Sequence, residues 1–155
     1  MNELRVPTVE RSVEVECADG RRFEGRIFIP VASPVHEGPT RSEEWMNEGP
    51  SFFAFVPEGG GSPFLLNKRE VLVLSVEEPP ADRPEEILDS PTRRVRVEAE
   101  SRRLEGRLLL DMPEHRLRVL DYLNRSEPFL ALREESILHL IQKERITRVI
   151  EVREE

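Results

Sequence analysis

The side chains able to do chemistry in this sequence are few, and they do not gather into a reactive set. His36, His115 and His139 stand apart, with no spacing that brings two imidazoles to one metal ion. Cys17 is the single cysteine, which excludes an internal disulfide and argues against a cysteine-based zinc site. Its inward strand parity marks it as a small core residue rather than a reactive thiol. Gly59-Gly60-Gly61 follows no strand–helix phosphate signature and reads as a flexible hairpin. No nucleophile stands beside a recurring base, so the expectation is a protein that is not an enzyme, with no metal and no cofactor.

What does recur is a polar turn. Arg41-Ser42-Glu43-Glu44-Trp45-Met46-Asn47 is matched by Arg118-Val119-Leu120-Asp121-Tyr122-Leu123-Asn124. The shared pattern is Arg, two residues, an acid, an aromatic, Met or Leu, and Asn. On a helical turn Arg118 and Asp121 share a side and can pair. Asn124 near the turn's end suits a cap, because asparagine tolerates left-handed backbone. Tyr122 and Leu123 would plug one end of the unit they belong to. The competing reading is binding: Arg41 and Arg118 each present a guanidinium whose fork fits a phosphate or carboxylate. A second repeated feature is a lysine-bearing turn, Asn67-Lys68-Arg69-Glu70 and Gln142-Lys143-Glu144-Arg145.

These turns sit within a larger duplication. Arg21-Arg22-Phe23-Glu24-Gly25-Arg26-Ile27-Phe28-Ile29 is rewritten as Arg102-Arg103-Leu104-Glu105-Gly106-Arg107-Leu108-Leu109-Leu110, with each position kept in kind. Period-two alternation makes strands of Val13–Cys17 and Arg94–Glu100, with Val13, Val15, Cys17, Val95, Val97 and Ala99 inward. Asp19-Gly20 is a two-residue hairpin. Gly25 and Gly106, on inward parity, predict a bent strand or a close backbone approach. Further strands are expected at Ser51–Val56, Phe64–Leu66, Val71–Val76, Phe129–Leu132, Ser136–Ile141 and Ile146–Val152. The fold expected is all-β: two tandem five-stranded barrels, each with one short helical turn. The first spans 10–77, an acidic Pro-rich linker 78–92, and the second 93–153. A unit of about 60 residues is marginal alone, so the copies should pack together.

Leu72 and Leu74 belong to a strand that is apolar on both faces, and Phe28 and Leu109 take the outward parity of the bent strand. These four predict surface covered by the other copy or by a second chain. The net charge of −8 opposes nucleic acid or anionic membrane over most of the surface. The basic cluster Arg93, Arg94, Arg96, Arg102, Arg103 and Arg107 is interspersed with Glu98 and Glu105. It reads as a mixed-sign solvated face lacking aromatic stacking partners. No apolar run approaches a membrane span, and the start is not signal-like, so a cytoplasmic location is expected.

Two motifs carry a family resemblance. Val95–Leu110, with its glycine in the second strand, resembles the first motif of Sm-like proteins. Leu138–Val149 resembles their second motif, in the bacterial RNA-chaperone form, and Phe64–Leu74 repeats it. The Arg-x-x-acid-aromatic-Leu-Asn element is similar to one in bacterial domains of unknown function. The resemblance implies a small barrel fold and, in RNA-binding relatives, contacts through the lysine turn. Here Arg69 and Glu144 stand where the RNA chaperone carries histidine. Two functions follow as expectations. The first is a protein-interaction or assembly module using strand edges, either with a partner protein or by self-association. Its alternative is an RNA-binding regulator of the Sm-like class using Lys68, Lys143 and the arginine face. Candidate binding residues are Arg41, Trp45, Asn47, Arg118, Tyr122, Asn124, Lys68 and Lys143; candidate interface residues are Phe28, Leu109, Leu72 and Leu74.

Overall fold

A computed structural model describes residues 7–33, 40–79, 91–110 and 118–153. The first half contributes β1 (Thr8–Cys17), β2 (Arg22–Pro30), α1 (Ser42–Asn47), β3 (Phe52–Pro57), β4 (Phe64–Asn67) and β5 (Val71–Glu77). The second contributes β6 (Thr92–Ala99), β7 (Arg102–Leu109), α2 (Val119–Leu123), β8 (Phe129–Glu134), β9 (Ile137–Gln142) and β10 (Ile146–Glu151). The chain is all-β apart from these two short helices and the 3-10 turns Lys68–Glu70 and Lys143–Arg145.

The ten strands form one antiparallel sheet in the order β10-β6-β7-β8-β9-β5-β1-β2-β3-β4. This corrects the expectation of two closed barrels. In each half a 3-10 turn carries the chain from the fourth strand to the far side of the first, so fourth and fifth strands do not pair with each other. Instead β5 gives its outer edge to β9, in the register Val73↔Ile141, Leu74↔Leu140, Ser75↔His139, Val76↔Leu138 and Glu77↔Ile137. The sheet is open, with β4 and β10 as its two edges.

The duplication is visible strand by strand. Val13 opposes Gly25 as Val95 opposes Gly106, and Val15 opposes Leu74 as Val97 opposes Val149. Both halves carry a bulge at the same place, with Leu72 as the extra residue on β5 and Thr147 as the extra residue on β10. The glycines make the close approach that their parity implies. A Cβ on Gly106 would lie 2.6 Å from the Arg133 carbonyl, and one on Gly25 would strike the Val56 carbonyl more closely still. Gly20 turns the first hairpin at φ +92°.

Two apolar clusters fill the interior, and the halves exchange side chains between them. The cluster around Val15, Ile27, Ile29 and Phe55 also takes Phe129, Ala131, Leu138 and Leu140 from the second half. That around Val97, Leu108, Leu130 and Leu132 takes Leu72 and Val73 from the first. Burying each large side chain of this set is worth about 1.5–3 kcal/mol, so the halves are coupled through their cores as well as their edges. The linker expected at 78–92 falls largely outside the described residues, as do His36 and His115.

Candidate interaction surface

The two polar turns occupy equivalent places and do different work. Arg118 grips Asp121 with two contacts, Nε to Oδ2 at 2.9 Å and Nη2 to Oδ1 at 3.3 Å. Arg41 instead uses its backbone N–H, which donates to Glu44 Oε1 at 3.1 Å, while Glu44 Oε2 accepts from Ser33 at 2.6 Å. Asn124 sits at the C-cap with φ −87° and ψ 6°, a right-handed conformation and not the left-handed one expected. Trp45 packs edge-on to Phe53 at 5.1 Å, and Tyr122 and Leu123 lie against the second cluster.

Both lysines close these turns. The Lys68 ammonium donates to the carbonyls of Trp45 at 2.7 Å and Glu48 at 2.8 Å, and lies 4.9 Å from the Trp45 ring centre. Lys143 donates to the Arg125 carbonyl at 3.1 Å, 5.9 Å from the Tyr122 ring centre. Lys68 places its cation on carbonyls at the end of α1, where the backbone dipoles favour it, and Lys143 places its own just beyond α2. Burial lowers the Lys68 ammonium to about 8. Lys143 is lowered too, first by burial, with Glu127 opposing and Arg125 assisting.

The junction between halves is the most polar part of the interior. Asn47 Oδ1 accepts the Phe129 backbone N–H at 2.8 Å. Arg133 reaches Glu43 of α1 at 2.8 Å and Glu78 at 3.0 Å. Burial opposes its charge, but the two carboxylates prevail and raise the guanidinium above the ordinary arginine value. Arg102 donates to the buried Glu16, and Gln142 Nε2 reaches the carbonyls of Arg69 at 2.8 Å and Val71 at 3.0 Å. Sequence reasoning missed this set. Arg133, Glu43 and Gln142 carry no signal until the β5–β9 pairing is known.

Ser75, His139 and Glu134 also meet there, with Ser75 Oγ 2.7 Å from His139 Nδ1 and His139 Nε2 3.2 Å from Glu134 Oε1. The residue types are those of a nucleophilic triad, but such a site needs a substrate carbonyl seated beside the hydroxyl and donors for its oxyanion. Ser75 and His139 are instead direct cross-strand partners in mid-sheet, and the imidazole is buried. The arrangement holds two strands in register. No cluster of three metal-ligating side chains occurs among the described residues.

Of the expected interface residues, Leu72 joins the second half's cluster, while Leu74 faces the first half's own core alongside Leu138 and Leu140. The bulge at Leu72 of β5 sets this division by placing Val71, Leu74 and Val76 on one side. Leu109 is buried and Phe28 half-buried. The mixed-sign face is paired as its alternation implies, Arg94 and Arg96 to Glu105 and Arg148 to Glu98.

Two hollows flank the junction. One of about 450 Å³ includes Arg94, Glu105 and Arg133 in its wall, the other, of about 270 Å³, Lys68, Phe129 and Gln142. Neither is lined by Arg41 or Arg118. The conspicuous apolar exposure lies elsewhere, at Phe52 (57%), Leu65 (70%) and Leu120 (58%). Phe52 and Leu65 belong to β3 and β4 at one sheet edge; Leu120 belongs to α2 in the other half. No helix of the described residues is long and apolar enough to cross a membrane.

Comparison of the chain with protein-family models, with curated proteins and with solved structures returns no match.

Proposed function

We propose that this chain is a non-enzymatic protein-interaction or assembly module, built from two tandem units of Sm-like strand order and barrel-like curvature, working in the cytoplasm. The observation that carries the proposal is the open sheet: one edge strand, β4, stands beside exposed Phe52 and Leu65. Exposed apolar side chains next to unpaired strand N–H and C=O groups are a docking surface for another chain. RNA binding, the alternative, draws less support. Lys68 and Lys143 commit their protons to backbone carbonyls, and the chain carries a net charge of −8.

The test is purification of the full chain under native conditions at low salt, with mass, protein content and nucleic acid all measured. A stoichiometric assembly, with itself or with one protein, is the expected result. A monomer with no stoichiometric protein partner overturns the proposal. So does salt-sensitive binding of oligoribonucleotides that Lys143→Glu abolishes, which would move the function to RNA.

A further inference from the structure

The exposed residues of each sheet edge become informative when compared with their equivalents in the other half, which are buried at the junction. The paired registers fix the equivalence. Phe52 opposes Asn67 and Ala54 opposes Leu65, as Phe129 opposes Gln142 and Ala131 opposes Leu140. So Phe52 corresponds to Phe129 and Leu65 to Leu140, both of which are buried in the first half's cluster. The face that the second half presses into the first is therefore repeated on the first half, where Phe52 and Leu65 are exposed. At the opposite end, Ile146 and Val149 correspond to Val71 and Leu74. The latter are fully buried, whereas Ile146 and Val149 are only partly covered.

From these half-interfaces we infer that a second copy of this chain docks its β4 edge along β10 of the first, repeating between molecules the β9–β5 junction made within one. This rests on the assembly reading above and names its partner.

Transferring the internal register outward sets Val149 against Leu65, Ile150 against Phe64 and Arg148 against Leu66 of the next copy. The internal counterparts are Leu74–Leu140, Ser75–His139 and Val73–Ile141. Where the junction pairs apolar with apolar, Val149 and Leu65 do so again. Where it hydrogen-bonds Ser75 to His139, both members are replaced together by the apolar Ile150 and Phe64. The same paired exchange occurs at the helix. Glu43 contacts Arg133 inside the molecule, and their equivalents, Leu120 and Val56, are both apolar. Leu120 is 58% exposed, so this contact is the one that would cover it. Asn47 accepts the Phe129 N–H, and its twin Asn124 is exposed, with no side-chain hydrogen bond among the described residues, placed to accept the Phe52 N–H of a neighbour. Single exposed leucines are ordinary on protein surfaces. Residues exchanged in matching pairs across one transferred register are not.

Some contacts of the junction are not repeated. Val56 cannot make the Arg133 ion pairs, Asn67 already accepts from the Arg69 N–H at 3.0 Å, and Pro63 shortens the usable edge. The outer seam is accordingly weaker than the inner one, and association is reversible. It is also heterologous. Each molecule has one β4 end and one β10 end, so growth continues past the dimer, to a ring where the rotation closes and to a filament where it does not.

Sedimentation of the full chain over a range of concentrations, with two variants, tests this. Leu65→Glu blocks one end and Ile150→Glu the other; neither position lies in the apolar clusters, and circular dichroism verifies that each variant is folded. Wild type is expected to associate, and each variant alone to associate at least tenfold more weakly. Their mixture should form a 1:1 dimer that grows no further, because one intact β4 end then meets one intact β10 end. Asn124→Ala, away from both clusters, should weaken wild-type association without lowering the monomer's melting temperature. A wild type that stays monomeric at every concentration overturns the inference, as does a mixture no more associated than its components. If that monomer still purifies with a stoichiometric protein of another kind, the assembly reading stands and only the choice of partner fails.

Discussion

The side-chain oxygen of Asn47 accepts the backbone N–H of Phe129 at 2.8 Å, joining residues 82 positions apart in the chain. Through this bond the end of α1 holds the start of β8, the strand that inserts Phe129 and Ala131 into the first half's core. Asn47 thus acts between halves, whereas the cap was expected of its twin Asn124.

Replacing Asn47 with alanine strands a partly buried amide hydrogen. Such an unsatisfied donor costs about 1–3 kcal/mol. Asn47→Ala should lower the stability measured by urea unfolding by that amount. Asn124→Ala, at an exposed equivalent site, should stay within about 0.5 kcal/mol of wild type for the monomer. Equal losses for the two would return both residues to a purely local role.

Arg133 is a largely enclosed charge at the junction, held between Glu43 and Glu78. Removing one partner of a buried ion pair costs about 3–5 kcal/mol, because the remaining charge is left without compensation. Arg133→Ala should therefore unfold at much lower urea. Arg133→Met combined with Glu78→Gln, which removes the Glu78 charge as well, should recover part of that loss. A double variant that loses as much stability as the two single changes added together would show that charge is not what binds these groups together.

The difference between what could be read in sequence and what could not follows from range. Val13–Cys17 and Arg94–Glu100 alternate, and Asp19-Gly20 turns, because local sterics and one buried face dictate it. The strand sites and the close approaches at Gly25 and Gly106 were legible for that reason. Whether β5 would close onto β4 or pair with β9 depends on two edges distant in sequence, and no local pattern distinguishes the outcomes. The apolar stretch Val71–Leu74 showed that something covers its outer side, but not that a bulge in β5 would send Leu72 and Leu74 to different clusters. Arg133 and His139 look like ordinary strand residues until their partners arrive from the other half. The matched exchanges at Ile150/Phe64 and Leu120/Val56 were in the sequence throughout, and the register of the sheet was needed to pair them.

The glycines give a test of the bent strands. A methyl group on Gly25 meets the Val56 carbonyl and the Phe55 ring, the latter at 2.7 Å, and on Gly106 it meets the Arg133 carbonyl at 2.6 Å. A fixed carbonyl in a paired strand cannot move aside cheaply, and overpacking of this kind costs about 1–3 kcal/mol or more. Gly25→Ala should cost more than Gly106→Ala, since it has the tighter approach and an aromatic ring beside it. Gly59→Ala offers a contrast: it has open space, and any loss there comes from its φ of +85° alone. Thermal melts of the three variants should rank Gly25 as most damaging, and an unchanged melt for Gly25→Ala would mean the strand does not approach β3 so closely.

Lys68 ties stability to alkaline pH. Burial brings its ammonium to about 8 in the folded chain, against 10.5 for an ordinary lysine. Below pH 8 both folded and unfolded chains carry the proton, and the cost of burying the charge is present in full. Between 8 and 10.5 the unfolded chain binds the proton more tightly than the folded one, so this group makes stability rise with pH across that window. The gain is at most about 3 kcal/mol, the full shift converted at 1.36 kcal/mol per unit. A neutral amine still has two N–H donors for the Trp45 and Glu48 carbonyls, so the turn keeps its closure as the charge leaves. Other groups titrate in the same range, so the informative quantity is the difference between wild type and Lys68→Met. That difference should be flat up to about pH 8 and then move in favour of wild type as far as pH 10. If it stays flat throughout, the cation is retained by its carbonyls and by the Trp45 ring, and burial does not govern this lysine.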